Sequence, residues 1–461
     1  MTNQAITYTE QQWVSILEDL KTLIRIPSIS ADGFDPAPVT ACAQAIVHMM
    51  KQAGLTEAEV IKIEGVHAYA YGSYLGAGPN APTLLLYGHH DVQPVGREHL
   101  WVSPPFDPTI RQGRLYGRGS VDDKAGVMVH LAAIAAYLKS GNKCPVNFKF
   151  IVEGEEEIGS NHLHLFLERY RDKIQADYIV LTDTSNFDTG IPALTYQLRG
   201  IVATDITVST LRQPVHSGMW GGPTPDPVLA LCQILARLQN KDGQIAIPGL
   251  YDDVDEPPNQ VKTRLQALPF NEAQFKQQAG FLEGVQLAGE SKYSVYEKLW
   301  MRPALSINAI EASSMKNVSN QIVDVARARV GIRIVPSQDE ERITQLLESF
   351  LKQNPPYGVH VDTKPARGTP WWKTNPQGPA FDAALRAMEK GYGVSPVLVG
   401  CGGSIGFVQP FSDILGGVPA LLIGLEDPQC NAHSENESLD LGDFKKAIHS
   451  AIFLYEELSK I

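Results

Sequence analysis

Along this chain, short apolar runs repeatedly stop on clustered acids. Thr83-Leu-Leu-Leu-Tyr87 runs into Gly88-His89-His90-Asp91, and Val146-Asn-Phe-Lys-Phe-Ile-Val152 runs into Glu153-Gly-Glu-Glu-Glu157. Runs this short and this continuously apolar predict strands buried on both faces, hence a parallel sheet whose polar strand ends share one edge. Helical spacing marks Trp13, Ile16, Leu17, Leu20 and Ile24, behind an expected Thr9 cap, and recurs in Ala43, Ile46, Val47 and Met50. From about residue 58 to 190, strand-like runs at 60–63, 83–87, 146–152 and 178–181 alternate with helical runs at 124–138 and 161–170. That alternation predicts an α/β layer.

After residue 200 the texture changes. Residues 201–208 alternate, a helix at 226–237 follows a Gly/Pro-rich loop, and a polar helical stretch covers 258–300. Strands are expected near 304–310 and 322–335, then a helix opened by Ser337-x-x-Glu340, read as a capping box. The Pro- and Gly-rich stretch 364–376 reads as a return linker. Beyond it lie a helix at 379–390, buried runs at 396–399 and 420–425, and a closing helix at 442–458. The pattern predicts a main α/β domain in two parts, 1–197 and 376–461, its mixed and mostly parallel sheet flanked by helices. An α+β domain, 198–375, is inserted between the parts.

With 461 residues, 43% of them hydrophobic, the chain can bury a large core. Its net charge of −12 argues against nucleic acid or an anionic membrane as partner and favours a small substrate. The first ten residues lack the basic and apolar regions of a secretory signal, so a cytoplasmic location is expected. The stretch 127–138 is too short to span a membrane and contains His130. Five cysteines, at 42, 144, 232, 401 and 430, form no Cys-x-x-Cys pair and read as reduced thiols. Cys401 and Cys430 read as packing residues.

The acids suggest a dinuclear metal site. Zinc takes ligands from His, Asp and Glu, and two ions about 3.5–4 Å apart can share a bridging carboxylate. The strand-end turns supply His89, Asp122 as the bridge, Glu157, Asp183 at the end of the 178–181 strand, and His433 in Asn431-Ala-His-Ser-Glu-Asn-Glu437. Asp91 could accept the ring N–H of His89 and fix its tautomer. Glu156, beside a ligand but not itself one, is the natural general base for a bridging water.

Six ordered motifs then resemble one family. They are Tyr87-Gly-His-His-Asp-Val-Gln-Pro94, Gly117-Arg-Gly-Ser-Val-Asp-Asp-Lys124, Glu153-Gly-Glu-Glu-Glu-Ile-Gly-Ser160, His216-Ser-Gly-Met-Trp-Gly-Gly222, Arg333-Ile-Val-Pro336 and Ala432-His-Ser-Glu-Asn-Glu437. From about residue 10 to 455 the chain resembles the M20 zinc metallopeptidases, in particular their carnosinase-like and cysteinylglycine dipeptidase-like branch. The resemblance implies a catalytic domain with an inserted lid and dimerisation domain, two Zn²⁺ per subunit (Mn²⁺ or Co²⁺ as alternatives), and the same ligands, bridge and base. Asp123 is expected to support the turn. The resemblance further implies that His216 stabilises the tetrahedral oxyanion, reaching the site of a neighbouring subunit in a homodimer. Arg333 would bind the substrate's C-terminal carboxylate, and Ser404 would contact substrate. The implied reaction is metal-assisted hydrolysis of dipeptides or short peptides, with N-acyl-amino-acid deacylation as the alternative.

The chain departs from the family pattern at two places. Where that branch usually reads Arg-Glu-Gly-Gly-Ser-Ile-Pro, this chain has Gly400-Cys-Gly-Gly-Ser-Ile-Gly406, so an acid and a base are missing beside the substrate. Where the family reads Lys-Thr-Val-Ile-Pro, it has Lys316-Asn-Val-Ser-Asn320, which would either set the Asn317 amide near the reacting carbonyl or only mark a different lid edge.

Overall fold

The computed structural model describes residues 2–141 and 143–461, with the side chains of Asn317 and Arg367 outside the description. The chain divides into two compact units. One takes the chain up to Tyr196, then Thr374–Val399 and Gly406–Ile461; the other comprises Gln197–Lys373 and Gly400–Ile405.

The first unit is built on a mixed sheet. Four central strands run parallel, in the order Asn147–Glu153, Thr83–His89, Tyr178–Leu181, Ala420–Ile423. Antiparallel strands extend it on both sides, Tyr69–Tyr74 and Glu57–Ile61 on one and Ala193–Leu198 on the other. Thr83–His89 has only its first residue partly exposed, because helices cover both faces of such strands. Helices Ala37–Ala53, Lys124–Lys139, Pro379–Tyr392 and Leu441–Leu458 contribute to one continuous apolar core. In the parallel pair, His89 stands opposite Glu153, so both acidic strand ends reach the same sheet edge. No described helix is long and apolar enough to cross a membrane.

The second unit is a four-stranded antiparallel sheet ordered Ala304–Glu311, Val325–Ile334, Gly200–Ser209, His360–Thr369. Burial along Gly200–Ser209 alternates strictly, the mark of a sheet with one covered face. Val202, Ile206 and Val208 pack there with Leu231 and Ile234 of helix Pro227–Ala236 and Ile343 and Leu347 of helix Glu340–Lys352.

Three local expectations are overturned. The first helix starts at Thr2, so Thr9 lies inside it and its hydroxyl bonds back to the Ile6 carbonyl; the chain breaks at Gln12 before helix Trp13–Ile24. Asp339, not Ser337, caps the helix at 340: Ser337 takes φ +83° and hydrogen-bonds Asp255. The expected linker 364–376 begins inside the strand His360–Thr369. Pro365 is tolerated there because that strand lies at the sheet's edge, where a missing N–H costs no ladder bond.

Candidate metal centre

The site lies in the first unit, on turns that leave the central strands. At the end of Thr83–His89, the buried His89 places Nε2 3.0 Å from Asp122 Oδ1 and 3.7 Å from Asp183 Oδ1. The other oxygen of Asp122, Oδ2, lies 2.9 Å from His433 Nε2, which is itself 3.1 Å from Glu157 Oε2. Asp122 thus presents one oxygen to a His89–Asp183 cluster and the other to a Glu157–His433 cluster.

Other side chains hold this geometry in place. The backbone carbonyl of Asp91 lies 3.1 Å from His89 Nδ1 with its carboxylate at 3.5 Å, and that carboxylate accepts the backbone N–H groups of Glu156 (3.2 Å) and Glu157 (3.0 Å) as well as the Ser30 hydroxyl (2.7 Å). One aspartate therefore orients an imidazole and fixes the turn carrying two glutamates. The Asp122 turn, whose peptide to Asp123 is cis, rests on Glu437. Buried Glu437 accepts from the backbone N–H groups of Gly119 and Val121, each at 3.1 Å, and pairs with Arg118 at 2.7 Å. Asp123 Oδ2 accepts the His89 backbone N–H at 3.2 Å, and its carboxylate also comes within ligand reach of His89 and Asp183. Gly126 makes room for it, since a Cβ there would stand 1.9 Å from Asp123 Oδ1. His433 has φ +62°, a strained conformation that the flanking turns impose.

The four glutamates of 153–157 divide by partner. Glu153 accepts from Tyr87 (2.5 Å) and Tyr69 (3.3 Å), Glu155 from the His67 N–H (3.0 Å) and His162, and Glu157 from Gln93 (2.8 Å). Among the described residues the Glu156 carboxylate has no hydrogen-bond partner.

Electrostatics call for cations. Among the described residues, no lysine or arginine pairs with Asp122, Glu156, Glu157, Asp183 or Glu426. Burial, then repulsion by Asp122, pushes Glu157 up to about 7, and burial with Asp122 and Asp183 pushes Glu426 up to about 8. Burial, with Asp183 and Glu157 adding to it, raises Glu156 well above the ordinary carboxylate range. Hydrogen bonds to Asp122 and Glu157 lift His433 to about 11; burial opposes protonation of His89, yet Asp183 and Asp122 hold it well above its usual value. Carboxylates and imidazoles that converge in this way without a protein counter-charge are arranged as a cation site requires. The N/O donor set fits two zinc-like ions.

Glu426 escaped the sequence reading. Its ligand atom lies within 4.8 Å of those of Asp122 and Asp183, and its Oε2 accepts the Ser185 hydroxyl at 2.9 Å. The signal was present, because Glu426 follows the buried strand Ala420–Ile423 much as Asp183 follows Tyr178–Leu181.

His216, Arg333 and Ser404 belong to the second unit. His216 is exposed, and its Nδ1 accepts the Gly218 N–H at 3.0 Å, which leaves Nε2 to carry the ring proton. Arg333 Nη1 donates to Ser404 Oγ at 2.8 Å, so these two meet. Asn317 closes the short turn Met315–Asn317, and its side chain lies outside the described residues.

Comparison with known proteins fixes the family. The model of peptidase family M20/M25/M40 matches residues 85–455. The chain belongs to that family. It is 30% identical over 81% of its length to the cysteinylglycine-S-conjugate dipeptidase of Corynebacterium striatum, covering 81% of that protein. Identity to the beta-Ala-His dipeptidase of Rattus norvegicus is 32%, over 84% of this chain and 79% of the relative. Among solved structures, the dipeptidase Dug1p of Saccharomyces cerevisiae superposes with TM-score 0.87 at 25% identity, with 100% of this chain and 99% of that one covered.

Proposed function

We propose that this M20 peptidase hydrolyses the peptide bond of dipeptides or short peptides with two divalent metal ions, zinc in the first instance and Mn²⁺ or Co²⁺ as alternatives. His89 and Asp183 would hold one ion, Glu157 and His433 the other, and Asp122 both. When bound, two such ions would acidify a water held between them and polarise the scissile carbonyl. Two facts carry the reading: Asp122 splits its oxygens between two donor clusters, and the carboxylate of Glu156, next to Glu157 in sequence, has no hydrogen-bond partner among the described residues.

Glu156 would take the proton of the attacking water and return it to the leaving amine. A carboxyl pKa raised by burial suits that second step, since it lets the protonated group persist until the amine leaves. Asp91 keeps His89 and the 156–157 turn in register. His216, with its proton on Nε2, would donate to the oxyanion; Arg333, beside Ser404, would take the substrate's C-terminal carboxylate. The named relatives act on dipeptides, which fits a small substrate.

A homodimer is part of this reading. Met219 and Trp220 next to His216 are 77% and 57% exposed, and the edge strand Ala304–Glu311 exposes Ile307 and Ile310. An unpaired apolar edge of this kind invites a second copy.

The deciding experiment is hydrolysis of a dipeptide panel beside N-acetyl and N-succinyl amino acids, using metal-stripped protein with and without Zn²⁺ or Mn²⁺. Metal-dependent cleavage of free dipeptides is expected. Cleavage of acylated amino acids alone would move the protein to deacylation.

A further inference from the structure

Among the described residues, two guanidinium groups of the second unit lack a counter-ion. Arg199, only 7% exposed, donates from Nε to the Gly402 carbonyl at 3.0 Å and from Nη1 to the carbonyls of Arg302 (3.2 Å) and Lys298 (3.4 Å). Arg333 donates from Nη1 to Ser404 Oγ. Both are thus attached to the 401–405 loop, two residues apart, and neither forms an ion pair among the described residues. Nη2 of Arg199, and Nε and Nη2 of Arg333, make no hydrogen bond there. Gly402 lets the loop come this close, as a Cβ would sit 2.8 Å from Arg199 Nη2.

Arg302, buried in the same unit, behaves as buried cations ordinarily do. Arg302 is neutralised by Glu290 through contacts of 2.9–3.2 Å. An unpaired buried guanidinium such as that of Arg199 is costly, and the half-buried Arg333 repels it. Burial, and then Arg333, depress Arg199 to about 10. Position 401, where the family pattern has an acid, holds Cys401, whose sulfur accepts the Gly403 N–H at 3.2 Å. Arg333, Cys401 and Ser404 are partly exposed, so the cluster is accessible.

We propose that Arg199, Arg333 and Cys401 select substrates whose C-terminal residue carries a second carboxylate, that is, dipeptides ending in glutamate or aspartate. This rests on the reading of Arg333 given above. The α-carboxylate satisfies one guanidinium and the side-chain carboxylate the other. Cys401 permits this by leaving out the protein acid that would otherwise occupy the second position.

The test compares kcat/KM for Ala-Glu against Ala-Gln and Ala-Asp against Ala-Asn on zinc-loaded protein, beside calorimetric binding of free L-glutamate and L-glutamine. The acid is expected to be favoured at least about tenfold in both assays, the range of one charge-assisted hydrogen bond. Cys401→Glu is expected to bring the ratio to one or below, and Cys401→Ser to retain it. Dipeptide cleavage with an acid-to-amide ratio near one in the wild-type protein overturns the inference and leaves the peptidase reading standing. Selective glutamate binding without dipeptide cleavage does the reverse. The wild-type ratio decides even where Cys401→Glu fails to fold.

Discussion

Glu156 is distinguished from its neighbours by what it lacks. Glu153, Glu155 and Glu157 each have their oxygens tied to tyrosine, histidine or glutamine, whereas the Glu156 carboxylate has no hydrogen-bond partner among the described residues and its carboxyl is raised mainly by burial. Glu156→Gln keeps the volume and the backbone bond to Asp91 but cannot carry a proton. It is expected to lower kcat by about 100- to 10,000-fold, the usual worth of a general base. Metal content measured on the same sample should stay at the wild-type level; wild-type turnover would remove Glu156 from the mechanism. In the sequence, the acid-tipped runs and the family motifs point to Glu156 as the proposed base. Glu437 and Gln93 as supports are not legible, because their roles depend on contacts with residues far along the chain, such as Glu437 with Gly119. Glu426 was within reach of the reasoning that found Asp183, since both follow buried parallel strands.

At the scale of elements, strongly periodic or continuously apolar stretches were legible, and stretches with conflicting signals were not. Helix Lys124–Lys139 is buried along nearly its whole length, which its uniform apolarity implies. The strand His360–Thr369 was missed because Pro365 and Gly368 argue against a strand in sequence, and only its edge position removes the conflict. That same buried helix carries a pH-dependent weakness. His130 packs edge-on to Phe150, with Nδ1 2.9 Å from the Tyr455 hydroxyl, and burial lowers its pKa to about 3. An unfolded chain would protonate this histidine below about pH 6.5, while the folded one does not until far lower pH. Stability is therefore lost as pH falls from about 6.5 towards 3, by about 2 kcal/mol at pH 5 from this residue alone. In His130→Gln the drop in urea stability between pH 7 and pH 5 should shrink by about that amount. An unchanged drop would mean that His130 titrates normally in the folded state.

For the whole molecule, the question is whether one chain contains everything its chemistry needs. The metal-ligating candidates and Glu156 lie in the first unit, while His216, Arg333 and Ser404 lie in the second. Under the proposed reading, His216 serves the site of a neighbouring copy. His216→Ala removes the oxyanion donor and should cost about 100- to 1,000-fold in kcat; Glu156→Gln removes the base. Each variant is then nearly inactive alone, yet a mixed dimer combines the intact Glu156 of one subunit with the intact His216 of the other. Random exchange makes half the dimers mixed, each with one intact site of two, so the mixture should recover about one quarter of wild-type activity. No recovery, with subunit exchange verified by mass-tagged chains, would place His216 and Glu156 on the same subunit's reaction or take His216 out of the chemistry. Activity above about one quarter would require exchange that favours mixed pairs, which the same mass tags would reveal.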